Sequence, residues 1–480
     1  MTVPSSSLFP ATPPAASPPA SCPAPRRSHR RRGTARPQGP GGGPGRITTL
    51  DGLRGAAVLG VLLFHAGHFA GGFLGVDLFF VLSGYLITGL LLREARAGGG
   101  RIRLAAFWGR RARRLAPALA VMIAGTLLLV TAFGTPPLRR QTLDDTPWVV
   151  ANLANWHFIA DQAGYWKASG TQAFAHLWSI AVEEQFYLFW PLLVVVLLRL
   201  GGARAGRLVA GAAGAGALLS LVLMVWLVDP ADTTRVYEGT DTRAFSLLLG
   251  ALTATEPAVR LIGRLGEQAR RGVSLVLAGA ITAYWITADG QGSPGLFRGG
   301  LFLHALAAAL LIACVARTPH GLVGRALSAP PLRGLGALSY SLYLWHWPVF
   351  LLLSEERLGM TGWARTAVVL TVSLTAAWLS KVLVEDPVRF RSPWAHGRTG
   401  ALALLAALAL LTALWTLLPQ PRPGAGTVDI DRLTASGLRS FDHSGWAAPK
   451  ALAIGLPKVM SPGGIGPPSR EVTILASSSR

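Results

Sequence analysis

LDGLRGAAVLGVLLFHAGH, residues 50–68, is apolar enough to enter a bilayer yet carries Arg54 and His65 eleven positions apart. Eleven helical steps of about 100° amount to three turns and about 20°, so both side chains project from one face of one helix. At about 1.5 Å of rise per residue, roughly 16 Å separates them. Ionisable groups inside a membrane helix are costly and by default mark a pathway or a site. A cation at the membrane edge, in phase with a titratable imidazole deeper in, points to both a membrane fold and a buried site.

The same apolar texture runs through the whole chain. Of 480 residues, 51% are hydrophobic and 14% charged, and the mean hydropathy is +0.42. Too few polar groups remain to cover a soluble globule of this size, so the fold class is an all-α polytopic membrane protein. The net charge of +22 comes in short basic clusters between apolar runs. That is the pattern of cytoplasmic loops and not of a nucleic-acid-binding surface. Cys22 and Cys314 are the only cysteines, which argues against a disulfide framework or a cysteine metal site, and no metal is expected.

Apolar windows predict eleven spans, at about 49–69, 72–92, 115–134, 177–198, 206–228, 243–256, 273–288, 299–316, 335–354, 364–384 and 399–418, the sixth being short. With a cytoplasmic N-terminus, the arginine clusters between Arg93 and Arg114, Arg199 and Arg207, Arg260 and Arg271, Arg317 and Arg333, and Arg389 and Arg398 all fall inside. Four regions follow: a disordered basic tail (1–45), a ten-helix membrane domain (46–390), an eleventh helix (391–418) and an extracytoplasmic tail with little structure (419–480). The expected location is the plasma membrane.

Depth brings distant residues together. His65 lies about 22 Å above the inner boundary, Asp77 on the second span reaches a similar level, and Glu183 and Glu184 lie about 10–12 Å below the outer boundary. A shared polar pocket would account for all of them. Glu183 and Glu184 point about 100° apart on a helix, so at most one of them faces the pocket squarely, and Glu183 is favoured. For His68, His304 and His346 the preferred reading is a structural hydrogen bond between helices. Tyr340, Tyr343 and His346, inside the ninth span, are also placed to line a polar cavity. In FWGRRARRLAPAL, residues 107–119, Arg110, Arg111 and Arg114 either anchor the topology or form an anion clamp, since guanidinium groups grip phosphates bidentately.

The ordered motifs LDGLRGAAVLGVLLFH, GVDLFFVLSGYLIT, FWGRRARRLAPAL, HLWSIAVEEQFYLFWP and SYSLYLWHWP resemble those of the acyltransferase-3 family of integral membrane proteins, across about residues 47–390. Members of that family O-acylate carbohydrates and related acceptors. The resemblance implies a ten-helix catalytic unit that uses cytoplasmic acyl-CoA, usually acetyl-CoA, as donor. It maps the family's essential arginine and histidine onto Arg54 and His65, and its Arg-x-x-Arg element onto Arg111 and Arg114, with Arg110 adjoining. Many relatives continue into an SGNH hydrolase-like domain that opens on Gly-Asp-Ser. PKVMSPGGIGPPSR, residues 457–470, contains no such motif, so that domain is expected to be absent, truncated or lost to a frameshift.

The resulting expectation is acyl transfer. Arg110, Arg111, Arg114 and Arg54 hold the donor's diphosphate, its pantetheine arm climbs to His65, and His65, oriented by Asp77 or Glu183, acts as general base or as a covalent acyl carrier on a hydroxyl arriving from outside. The rival reading is a proton-coupled transporter in which the buried histidines and carboxylates form a relay, although the spans show no internal repeat. A non-catalytic scaffold is the third, which intact Arg54 and His65 oppose. The acceptor stays open among cell-surface polysaccharide, lipopolysaccharide, peptidoglycan, glycolipid and a macrolide-type metabolite.

Overall fold

The computed structural model describes residues 48–164, 172–290, 293, 295–395 and 397–419. The expected N-terminal tail (1–45) and all but the first residue of the expected C-terminal tail (419–480) lie outside the described residues. Among the described residues the elements are all helical.

Each expected span falls on a long helix: α1 (Thr48–His65), α2 (Gly75–Ala97), α3 (Leu104–Phe133), α4 (Trp178–Gly201), α5 (Ala205–Leu227), α6 (Thr240–Thr253), α7 (Glu267–Thr287), α8 (Leu301–Val315), α9 (Pro330–Leu352), α10 (Gly362–Ser380) and α11 (Gly397–Leu417). Six helical runs are long and apolar enough to cross a membrane by themselves: Ala70–Ala97, Leu104–Phe133, Ala175–Leu227, Leu296–Val315, Gly362–Arg391 and Gly397–Leu417. The run Ala175–Leu227 holds both α4 and α5, and Thr234–Thr253 with Glu256–Gly263, bent by 64°, makes a seventh candidate. The protein is an all-α polytopic membrane protein.

α1 is shorter than its apolar window. Gly67 takes φ +76°, its N–H donates to the Phe64 carbonyl at 2.9 Å, and the His68 N–H donates to the Leu63 carbonyl at 2.9 Å. That pair of bonds is the Schellman closure, which needs a residue tolerant of left-handed φ, and glycine supplies it. His65 is therefore the last helical residue, held at a fixed end and not midway along a longer span.

Small residues set the helix crossings. A Cβ at Gly55 would land on the Leu332 carbonyl and one at Gly336 on that of Asp51, so α1 and α9 touch backbone to backbone. Gly84 and Gly250 do the same for α2 and α6, against the carbonyls of Leu247 and Val81. Without a hydrophobic drive between helices in lipid, such close approach is what supplies packing energy. Beside the second crossing, Arg243 Nη2 donates to Asp77 Oδ2 at 2.8 Å and Ser246 Oγ to Asp77 Oδ1 at 2.7 Å. Both charged side chains are fully buried.

The connection from α3 to α4 carries two helices that no apolar window announced, Pro136–Val150 and Ala154–Ala160. They close on Asp145, whose Oδ1 accepts from Gln141 Nε2 at 2.8 Å and lies 3.0 Å from His157 Nε2. Burial pushes the Asp145 carboxyl up to about 6, against the opposing pull of those two bonds. Trp415 of α11 donates to the Leu143 carbonyl at 2.8 Å, tying the last helix to this connection.

Candidate active site

A cavity of about 240 Å³ opens among α1, α2, α3, α4 and α9. Four guanidinium groups line it: Arg54 from the start of α1, Arg93 from the end of α2, and Arg111 and Arg114 from the start of α3. The spacing inside FWGRRARRLAPAL explains the selection. Arg111 and Arg114 are three apart and share a face, whereas Arg110 turns about 100° away. Arg110 Nη2 instead meets Glu94 Oε2 at 2.8 Å on the partly exposed rim, and Arg110 is not among the residues lining the cavity. The Arg111 guanidinium lies 4.0 Å from the centre of the Tyr187 ring, and its Nε is buried with no hydrogen-bond partner.

The rest of the lining is polar and interlinked. Tyr187 donates its phenol hydrogen to Ser83 Oγ at 2.9 Å, and Ser83 donates in turn to Glu183 Oε1. Tyr340 donates to the Leu115 carbonyl at 3.0 Å. Tyr343 donates to the His176 carbonyl at 2.9 Å, with Ser179 Oγ 2.6 Å away. Prolines create some of these anchor points, because a missing N–H frees the carbonyl four residues earlier. Pro348 frees the Leu344 carbonyl, which accepts from His176 Nε2 at 3.1 Å. Pro191 frees the Tyr187 carbonyl, which accepts from Trp108 Nε1 at 3.0 Å.

His65 stands beyond this cavity. Its Nδ1 lies 3.2 Å from His346 Nε2, and His346 Nδ1 lies 2.6 Å from the Tyr343 carbonyl. The His65 ring centre is 4.8 Å from that of Trp347 and 5.2 Å from that of Phe64. The ring is half-buried, while His346 and His176 are fully buried. Tyr343 lines the arginine-lined cavity, whereas His346 and His65, where the donor's arm was expected to end, are not among its lining residues.

Residues 47–382 match the acyltransferase domain of the acyltransferase-3 family. This chain belongs to that family. It is 39% identical over 358 residues to YrhL of Bacillus subtilis, covering 72% of this chain and 56% of YrhL. With the peptidoglycan O-acetyltransferase OatA of Listeria monocytogenes it shares 34% over 351 residues, again 72% of this chain and 56% of the relative. With the O-acetyltransferase OatA of Staphylococcus aureus it shares 35% over 357 residues, 72% and 58% respectively. The chain spans little more than half the length of these relatives. No solved structure matches it.

Within this acyltransferase-3 domain the expected site residues separate into two groups. Arg54, Arg111, Arg114, Glu183, Tyr340 and Tyr343 converge on one cavity. Asp77 does not join them: Arg243 and Ser246 take its two oxygens. Glu183 bonds Ser83, so the described bonds of both carboxylates that were expected to orient His65 go elsewhere. Glu184 is one residue out of phase with the cavity. His304 accepts from Trp285 Nε1 at 2.8 Å as a helix-to-helix partner, whereas His68, in the turn just beyond α1, meets Thr366 Oγ1 of α10 at 2.8 Å. His346, read the same way from sequence, also bonds between helices, to His65 of α1, and is not among the residues lining the cavity.

Sequence reading passed over Arg93, Ser83, Ser179 and Tyr187. A signal for two of them was present, because Ser179, Glu183 and Tyr187 recur every fourth residue and so form one polar stripe on α4. Arg93 looked like any other loop-end anchor.

Proposed function

We propose that this protein is a membrane O-acyltransferase that takes an acyl group, acetyl in the first instance, from cytoplasmic acyl-CoA and passes it to a hydroxyl of a cell-envelope carbohydrate. The observation that carries this reading is the convergence of Arg54, Arg93, Arg111 and Arg114 on one cavity, with a buried, unpartnered Arg111 Nε among them. Guanidinium groups bind phosphate oxygens with charge-assisted bonds, and a CoA thioester brings several phosphates on a long arm. The arginine end is the cytoplasmic one in this reading, with the N-terminus inside.

The acyl end then reaches His65 past Tyr343, whose rotation breaks its bonds to Ser179 and the His176 carbonyl. The acceptor hydroxyl gives its proton to His65 Nε2 as its oxygen attacks the thioester carbonyl and the new C–O bond forms. The C–S bond breaks, and the departing thiolate takes the proton back from Nε2, leaving an ester and free CoA. General-base help of this kind is worth about 10²–10⁴ in rate. Peptidoglycan is the first acceptor to test, since the Listeria relative is a peptidoglycan O-acetyltransferase. Transport is the weaker reading because it gives the arginine cavity no task.

The test is purified full chain in nanodiscs with acetyl-CoA and muramyl oligosaccharides, following thiol release and O-acetyl sugar by mass spectrometry. Both products should form, and His65→Ala should abolish both while inserting normally. Near-wild-type transfer by His65→Ala would sink the proposal.

A further inference from the structure

We infer that His346 is the positioning residue that fixes the tautomer of His65, an inference that rests on the acyl-transfer role proposed for His65. The bonds between His346 and its two neighbours point to one assignment, and the His65 ring also faces the Val61 carbonyl one turn back. The Tyr343 carbonyl can only accept, so the 2.6 Å contact places a hydrogen on His346 Nδ1. A neutral imidazole carries one N–H, so His346 Nε2 presents a lone pair. The 3.2 Å contact from that lone pair to His65 Nδ1 is a hydrogen bond only if His65 Nδ1 holds the proton. His65 Nε2 is then the nitrogen without the hydrogen, the one the proposed reaction needs.

The surroundings support this arrangement. Around the His65 ring stand Trp347, Phe350 and Phe64. Against His346 stand the His176 ring, centre to centre at 5.4 Å, and that of Tyr343 at 5.2 Å. His176 Nε2 is committed to the Leu344 carbonyl, and the Tyr343 phenol to the His176 carbonyl, so neither competes for His346 Nε2. A carbonyl, one imidazole and a second imidazole thus form a single line. In a serine-protease triad a buried carboxylate plays the orienting part; here the orienting group is neutral, which spares the desolvation cost of an anion inside the membrane. When His65 takes the hydroxyl proton on Nε2, its Nδ1–H remains bonded to His346, and the imidazolium is stabilised by the lone pair and the carbonyl behind it.

Two substitutions and one spectrum test the inference on the full chain in nanodiscs. His346→Phe keeps the ring volume and removes the acceptor, and should lower kcat by roughly 10²-fold or more with the acetyl-CoA KM unchanged. His346→Gln places an amide oxygen where Nε2 was, and should restore at least tenfold of that loss. In ¹⁵N-histidine spectra, with the His65 signals identified by their loss in His65→Ala, the wild-type ring should be protonated at Nδ1. A folded His346→Phe with wild-type kcat overturns the inference. If His346→Phe does not fold, the wild-type spectrum decides, and protonation at Nε2 overturns the inference. Retained transfer by His65→Ala would instead remove the proposed function, while the spectrum would still report the tautomer.

Discussion

In the proposed reaction, donor binding turns on Arg111 and Arg114. Both face the cavity, and hydrogen bonds to charged groups are worth about 1.5–3 kcal/mol each. Replacing both by alanine should raise the acetyl-CoA KM by about tenfold or more, with kcat reduced far less. A KM unchanged from wild type would return the pair to membrane anchoring. Arg110→Ala is the contrast, because its guanidinium is spent on Glu94, and its donor KM should stay within about twofold. The shared face of Arg111 and Arg114 was readable from their spacing, although Arg110 had been grouped with them, and Glu183, the favoured member of its pair, lines the cavity while Glu184 does not. The partner of His65 was not readable, since 281 residues separate it from His346 and no local period connects them.

Between elements, the Asp77–Arg243 pair fastens α2 to α6. Removing one member of a buried pair typically costs about 3–5 kcal/mol because the other charge is left uncompensated. Asp77→Ala should therefore destabilise the protein by that order, and Asp77→Ala with Arg243→Leu should recover much of the loss in thermal unfolding in detergent. A double variant as unstable as the single one would count against the pair as a fastener. The sequence placed Asp77 near His65 by depth, and depth fixes height along the membrane normal but not direction around the helix. Asp77 faces α6. The eleven helices, by contrast, were legible because hydropathy over about twenty residues is enough to mark a span, and even the short sixth window proved to be a helix. The polar connection at 136–160 was missed for the complementary reason, that hydropathy windows see only apolar helices.

For the molecule as a whole, the connection built on Asp145 introduces a pH response. The carboxyl's folded value of about 6 lies above that of a free aspartate. Its contribution to stability is therefore fully present below about pH 4 and is lost as the pH rises through about 6. Gln141, His157 and Asp144 all face it, and Asp161 approaches His157 at 3.5 Å. Thermal unfolding of wild type and Asp145→Asn at pH 5, 6 and 7 should show the wild-type advantage shrinking by roughly 1–3 kcal/mol as pH rises. A constant difference would refute it. The glycine that closes α1 has a consequence for the whole machine. With one end of that helix pinned at Gly67 and the other wedged against α9, the span from the arginine floor to the imidazole is a rigid yardstick of about 16 Å. A donor would then be chosen by the reach of its arm as much as by the chemistry of its head.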